Sequence, residues 1–212
     1  MLVLQESWRL FLAFANLKKK EIQAKIVYYG PGRCGKTSNL QYIFKTLGDQ
    51  VNPDMVSITT EGDRTLFFDY MPLDIGKVQG LDVKIQLYTV PGQVMYDSTR
   101  KLVLKGVDGV VFVADSRPER RHKNKLSLKS LHENLKFHSK SIFDIPLILQ
   151  YNKRDLATNG SDILTIDTLE QDLNRQLKVP TFEASAISGE NVVPTLKKIM
   201  EVTLGSLEDM FT

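Results

Sequence analysis

An α/β fold is predicted for this chain: a doubly wound, mostly parallel sheet of six strands, one of them an antiparallel edge strand, with helices on both faces. Two observations carry that prediction. Short apolar runs alternate along the chain with stretches of helical periodicity, which is the order that builds βαβ units. Two of the runs, Val107 to Asp115 and Ile145 to Tyr151, are apolar almost without a break, as strands covered on both faces must be. A length of 212 residues, with 42% hydrophobic and 25% charged side chains, suits one such domain with a full core.

Residues 1–20 read as an extension ahead of a main domain spanning 21–212. Leu2, Val3, Leu4, Trp8, Leu10, Phe11, Leu12 and Phe14 make it apolar, and Lys18, Lys19 and Lys20 follow. The apolar part is too short and interrupted to span a bilayer, and it lacks the layout of a signal peptide. It reads either as a helix packed on the domain or as an amphipathic segment that touches a membrane or a partner.

The first strand of the domain is Ile26 to Tyr29, and Gly30-Pro31-Gly32-Arg33-Cys34-Gly35-Lys36-Thr37 follows it directly. Leu40, Ile43, Phe44 and Leu47 then repeat at helical spacing up to Gly48. Strand, glycine-rich turn and helix start form the context of a phosphate-binding P-loop, so the fold is read as that of a P-loop NTPase. Glycines let successive N–H groups converge on phosphate oxygens, and the helix adds the positive end of its dipole. Gly30, Gly32, Arg33, Cys34, Gly35, Lys36, Thr37 and Ser38 are therefore candidate nucleotide-binding residues. Lys36 would reach the β- and γ-phosphates, and the Thr37 hydroxyl would ligate Mg²⁺. Arg33 either adds positive charge beside the phosphates or points to solvent.

After a polar connection, Asp49 to Asp54, the chain runs from Val56 through Arg64 and Thr65 to Met71. Pro72 to Gly80, with Asp74 and Gly76, reads as a turn region. Val83, Ile85 and Leu87 alternate with Lys84 and Gln86, giving a strand antiparallel to the segment before it, which ends at Thr89-Val90-Pro91-Gly92-Gln93. Beyond the strand that closes at Asp115, Arg117 to Lys125 reads as a solvated basic loop. Leu128, Leu131 and Leu135 mark the next helix, Ile166 to Leu177 a further one, Thr181 to Ala184 a short strand, and Leu196, Ile199, Met200 and Leu207 a last helix.

The strand at Ile145 to Tyr151 ends in Asn152-Lys153-Arg154-Asp155, an N-K-x-D pattern that reads guanine. The base presents two donors, N1–H and its 2-amino group, and the Asp155 carboxylate offers two oxygens to them. Adenine would set an acceptor against that acceptor, and sites of this kind discriminate by about 10⁴–10⁵. The Lys153 stem would cover the base, and Asn152 would tie its loop to the P-loop. In Glu183-Ala184-Ser185-Ala186, Ser185 and Ala186 resemble the last guanine-binding turn, where the Ala186 N–H would meet the guanine O6. All three polar groups follow strands, where ligands of open α/β sheets sit.

Taken together the segments resemble the Ras-like small GTPases, and within them the bacterial MglA family of gliding-motility proteins. Lys25 to Gly32, Arg64 to Asp69, Thr89 to Val94, Val107 to Ser116 and Gln150 to Leu156 carry the likeness. The resemblance implies a GTP/GDP switch with Mg²⁺ that organises cell polarity or surface motility. It implies a dimeric partner of the Roadblock fold, MglB-like, that accelerates hydrolysis. It assigns Arg64 as an arginine supplied in cis to the transition state, Thr65 as the sensor of the γ-phosphate through the metal, and Gln93 as the residue that orients the attacking water, with Gly92 beside it. Catalytic candidates are thus Gln93, Arg64 and Lys36, and the metal candidates are Thr37 and Thr65. Ras-like proteins carry aspartate where this chain has Thr89, a departure the MglA family shares, and a hydroxyl is the weaker electrostatic partner for a cation. Slow unaided hydrolysis is therefore expected, and the rival reading is a GTP-dependent scaffold with negligible hydrolysis.

The net charge of +3 is too small to argue for nucleic acid as a partner. A single cysteine, Cys34, excludes a disulfide framework and suits a reduced, cytoplasmic setting. His122, His132 and His138 have no metal-site spacing. No lipid anchor is expected from Met1-Leu2 or from Asp209 to Thr212, which leaves Met1 to Lys20 and Arg117 to Lys125 as the segments for any peripheral membrane contact.

Overall fold

The computed structural model of the chain describes residues 15–16, 21–48, 56–59, 67–78, 80–93 and 96–209. Its strands are β1 (Ala15–Asn16), β2 (Glu21–Tyr29), β3 (Val56–Thr59), β4 (Phe67–Val78), β5 (Leu81–Thr89), β6 (Gly109–Asp115), β7 (Leu147–Asn152) and β8 (Thr181–Glu183). They form one sheet in the order β3-β4-β5-β2-β6-β7-β8, with β1 paired to β2. The β5, β2, β6, β7 and β8 strands run parallel to one another, and β4 is antiparallel to β5. These are the six strands read from the sequence. Two short strands add to them, β3 outside β4 and β1 against Glu21 and Ile22, both antiparallel. β1 takes the side of β2 that β6 leaves open, because β6 pairs only from Ile26 onward. The stretch counted as an extension thus contributes two residues to the sheet.

Alternation along the strands explains the two layers. Ala24, Ile26 and Tyr28 of β2 and Val111 and Val113 of β6 enter one core with α1 (Lys36–Leu47) and α5 (Val192–Asp209), through Leu40, Ile43, Leu196 and Ile199. Val27, Tyr29, Val110, Phe112 and Ala114 point the opposite way. They pack on α2 (Asp97–Leu104), α3 (Arg121–Phe137) and α4 (Ile166–Leu169) through Leu104, Leu131, Leu135 and Leu169. Every residue of β6 is buried, as expected for a strand with helices on both faces. Burying each large side chain of this kind is worth about 1.5–3 kcal/mol, so the two cores fix the helices on their faces. The parallel direction of the strands gathers the loops that follow them at one end.

Two readings of the sequence are corrected. Pro72 to Gly80 is no turn region: β4 continues to Val78, with a bulge between Asp74 and Gly76, and the hairpin closes after it. Pro72 is tolerated because β3 ends its pairing at Tyr70, so beyond that point the outer edge of β4 has no ladder partner among the described residues and the missing N–H costs nothing there. The helix read over Ile166 to Leu177 is α4 followed by a π-helical turn at Glu170–Asn174. Among the described residues no helix is long and apolar enough to cross a membrane.

Candidate functional site

The P-loop leaves β2 at Gly30 and enters α1 at Lys36. No side chain caps α1, so its first N–H groups face the loop, the arrangement that favours an anion. The Lys36 ammonium folds back to donate to the carbonyls of Gly30 (3.0 Å) and Pro31 (2.9 Å) and is almost fully buried. Asn152 donates from Nδ2 to the Cys34 carbonyl (2.7 Å) and accepts at Oδ1 from the Ala186 N–H (2.8 Å). One buried amide therefore binds together the P-loop, the end of β7 and the turn after β8. Gly35 is required there: its φ is +107°, and a Cβ on it would fall 2.1 Å from Asn152 Nδ2. The Ala186 N–H assigned to guanine O6 is the one that Asn152 takes in this structure.

Lys153, in the left-handed backbone region, sends its ammonium to the Arg33 carbonyl (2.8 Å) and to Asp115 Oδ2 (2.8 Å). Asp155 lies in the first turn of the 3₁₀ segment Arg154–Asn159, which is anchored by the Arg154 N–H on the Ala184 carbonyl (3.0 Å). Ser185 is buried in the turn after β8, and its hydroxyl accepts the Ser188 N–H. Arg33 is exposed, with φ +63°, and Ser38 lies in the first turn of α1. The residues of the P-loop, Asn152, Lys153, Asp155, Ser185 and Ala186 are thus all at one end of the sheet, as the sequence predicts.

Gly92 lies directly on the P-loop. Its carbonyl accepts the Gly32 N–H (3.1 Å), and a Cβ on Gly92 would sit 2.2 Å from that nitrogen. Gln93 is exposed beside Gly32, and its carbonyl is held by Arg100 Nη1 (2.5 Å) and the Tyr96 N–H (3.2 Å). Arg100 in turn bonds Asp97, and Asn134 of α3 donates to Asp97 and to the Tyr29 hydroxyl. Arg64 and Thr65 lie outside the described residues.

One residue escaped the sequence reading. Asp69, buried on β4, accepts the Thr37 hydroxyl at 2.7 Å and the Thr89 hydroxyl at 2.9 Å, both at Oδ2, while its own N–H donates to Thr89 Oγ1. A carboxylate from the neighbouring strand thus stands beside Thr89 and Thr37. A hydroxyl with a carboxylate beside it is a hard oxygen donor set, which fits Mg²⁺. Thr37 and Asp69 would hold the ion there.

The basic stretch after β6 is also corrected. Arg117 does not sit in a solvated loop but forks onto Asp115, with Nε to Oδ1 at 3.1 Å and Nη2 to Oδ2 at 2.8 Å. Arg120 turns inward beside it, and the helix begins at Arg121. Burial pushes the Asp115 carboxyl upward, but the bonds from Arg117 and Lys153 outweigh it and hold the group below the usual carboxylate range. Composition reports only that the stretch is basic; it carries no sign of which cations find a buried partner.

Burial also raises the Cys34 thiol, partly countered by the Lys36 ammonium. A buried neutral thiol is a poor nucleophile. Cys34 is expected to resist iodoacetamide at pH 8 in the native protein and to label fully after denaturation, as read by intact mass.

The profile of the ADP-ribosylation factor family matches residues 10–203. The mutual gliding-motility protein MglA of Myxococcus xanthus is 46% identical over 197 residues, 93% of this chain and 98% of that protein. Ras-related protein SEC4 of Saccharomyces cerevisiae is 28% identical over 194 residues, covering 90% of this chain and 81% of its own. The profile match spans the P-loop, Asp69, Asn152 and the turn at Ala186. The chain belongs to the ADP-ribosylation factor family of Ras-like small GTPases, in its MglA branch, and is a GTPase.

Proposed function

We propose that this GTPase is a molecular switch which binds GTP with Mg²⁺, hydrolyses it slowly on its own to GDP and phosphate, and controls cell polarity or surface motility through partners that read the bound nucleotide. The observation that carries the guanine reading is Asn152, whose amide joins the P-loop, the Lys153–Asp155 segment and the Ala186 turn into one pocket wall. We also propose a cytoplasmic location and an MglB-like Roadblock dimer as activating partner, readings that the likeness to the Myxococcus gliding-motility protein supports.

In this reading Lys36 neutralises phosphate charge, and the P-loop N–H groups orient the chain of phosphates. Mg²⁺, when bound beside Thr37 and Asp69, stabilises negative charge on the β- and γ-phosphates. Gln93 aims a water at the γ-phosphorus, the bridging oxygen leaves with GDP, and Arg64 stabilises the charge that develops. Gln93 is already beside Gly32, but Gly92 rests on the same glycine through the Gly32 N–H. The segment must lift for that N–H to meet a phosphate, which is a reason to expect slow turnover until a partner docks.

Single-turnover hydrolysis of bound GTP by the purified chain tests the catalytic set. Slow wild-type turnover, reduced about tenfold or more in both Arg64→Ala and Gln93→Leu, is expected, since removing one transition-state group commonly costs at least that much. GTP held intact equally by all three proteins would instead favour the scaffold reading.

A further inference from the structure

Each carbonyl of the P-loop from Gly30 to Cys34 is taken by a side chain. Lys36 takes those of Gly30 and Pro31, Lys153 that of Arg33 and Asn152 that of Cys34. The carbonyl between these pairs belongs to Gly32, and it accepts from Arg120 Nη2. Lys36, Lys153 and Asn152 come from the motifs that define the site. Arg120 comes from a basic stretch that no motif singles out, on the 3₁₀ turn Pro118–Arg120 after β6. Its side chain is only 14% exposed, and its Nε lies 3.7 Å from the buried Asp115 carboxylate that also holds Arg117 and Lys153.

We propose that Arg120 is a positioning residue for the phosphate loop. A trans peptide is planar, so its C=O and the following N–H point in opposite directions. Pulling the Gly32 carbonyl outward aims the Arg33 N–H into the concavity where an anion is bound. The need is specific to this position. Gly32 has no side chain of its own to fix its peptide, and the residue after it is held at φ +63°, a conformation that costs a non-glycine residue energy unless its surroundings impose it. Asp115 sets the guanidinium, the guanidinium sets the peptide, and the peptide sets the donor. A lysine at 120 could supply one charged donor to the same carbonyl, whereas glutamine could supply only a neutral one.

The proposal rests on the guanine-nucleotide reading of the pocket, and its test is read separately from that reading. Release of a fluorescent GDP analogue is measured for wild type, Arg120→Gln, Arg120→Lys and Arg117→Gln, together with the ¹⁵N–¹H resonance of the Arg33 amide in the GDP-bound proteins. Arg120→Gln is expected to release the analogue about tenfold faster, about 1.4 kcal/mol of lost retention, and to shift the Arg33 amide. Arg120→Lys is expected to restore most of both. Arg117→Gln removes the same charge from the cluster without touching a loop carbonyl, and is expected to stay within about twofold of wild type, since only charge-assisted bonds to the loop carry an effect of this size. Release from Arg120→Gln within twofold of wild type, no rescue by lysine, or an equal effect from Arg117→Gln would each overturn the assignment. If wild type takes up no guanine nucleotide at all, the pocket reading fails and the assignment of Arg120 falls with it.

Discussion

Replacing Asp155 by alanine is expected to reduce the preference for GTP over ATP by about 10⁴-fold, with GTP binding weakened and ATP binding little changed. The expectation follows from which groups pair and which do not. The Asp155 carboxylate makes no hydrogen bond to a described residue, while its backbone is fixed by the Arg154 N–H on Ala184 and by the Thr158 hydroxyl on the Asp155 carbonyl. An acceptor held in place by its main chain is preorganised for two donors on one edge of a base, and it repels a base that presents an acceptor there. Competition of unlabelled GTP and ATP against a fluorescent GTP analogue measures both affinities for wild type and variant. In wild type a large excess of ATP should leave the analogue bound. Selectivity that survives Asp155→Ala would remove the carboxylate as the reader and point instead to Lys153 and the Ala186 turn.

That prediction could be made before any coordinates, and the reason is physical. Gly30 to Thr37 and Asn152 to Asp155 are each contiguous, each follows a buried strand, and each acts largely through its own backbone or the side chain next along the chain. Local chemistry of this kind is written in order. The six main strands were legible for a similar reason, since their apolar runs need only a period and a length. What stayed hidden depends on register and on who meets whom. Pro72 looked like a turn because the sequence does not say that the pairing of β3 with β4 ends at Tyr70 and leaves the edge beyond it without a ladder partner among the described residues. Arg117 and Arg120 looked solvated because Asp115, buried at the end of β6, was counted as part of an apolar strand rather than as an anion in need of cations. Hydrophobic patterning places a carboxylate on a strand, but the partners that make its burial tolerable come from loops whose paths the pattern does not fix.

Asp69 is the sharpest instance, and it yields the other large effect expected of this chain. Read along the sequence, Thr89 is a loss: a metal-side carboxylate replaced by a hydroxyl. Across the ladder it is an exchange, because Tyr70 pairs with Tyr88 and so brings Asp69 beside Thr89, where one oxygen accepts both the Thr37 and Thr89 hydroxyls. Asp69→Asn retains an acceptor for the hydroxyls but removes the negative charge, so the fold should persist while the attraction for a divalent cation falls. Groups that orient and charge a metal site in this way are worth about 10–100-fold in metal affinity. The free Mg²⁺ needed to retain a fluorescent GDP analogue is therefore expected to rise toward 100-fold in Asp69→Asn, with a thermal midpoint close to wild type. Relocating the charge provides the stricter measurement: Thr89→Asp in an Asp69→Ala background puts a carboxylate back from β5 and should recover most of the Mg²⁺ dependence. If Asp69→Asn keeps the wild-type Mg²⁺ requirement, Asp69 serves only to pin the two threonines. If the single variant loses Mg²⁺ and the relocated carboxylate does not restore it, the site needs its charge from β4 in particular. In that case the register of β4 on β5, rather than the presence of an acid near Thr37, governs how tightly the nucleotide is held.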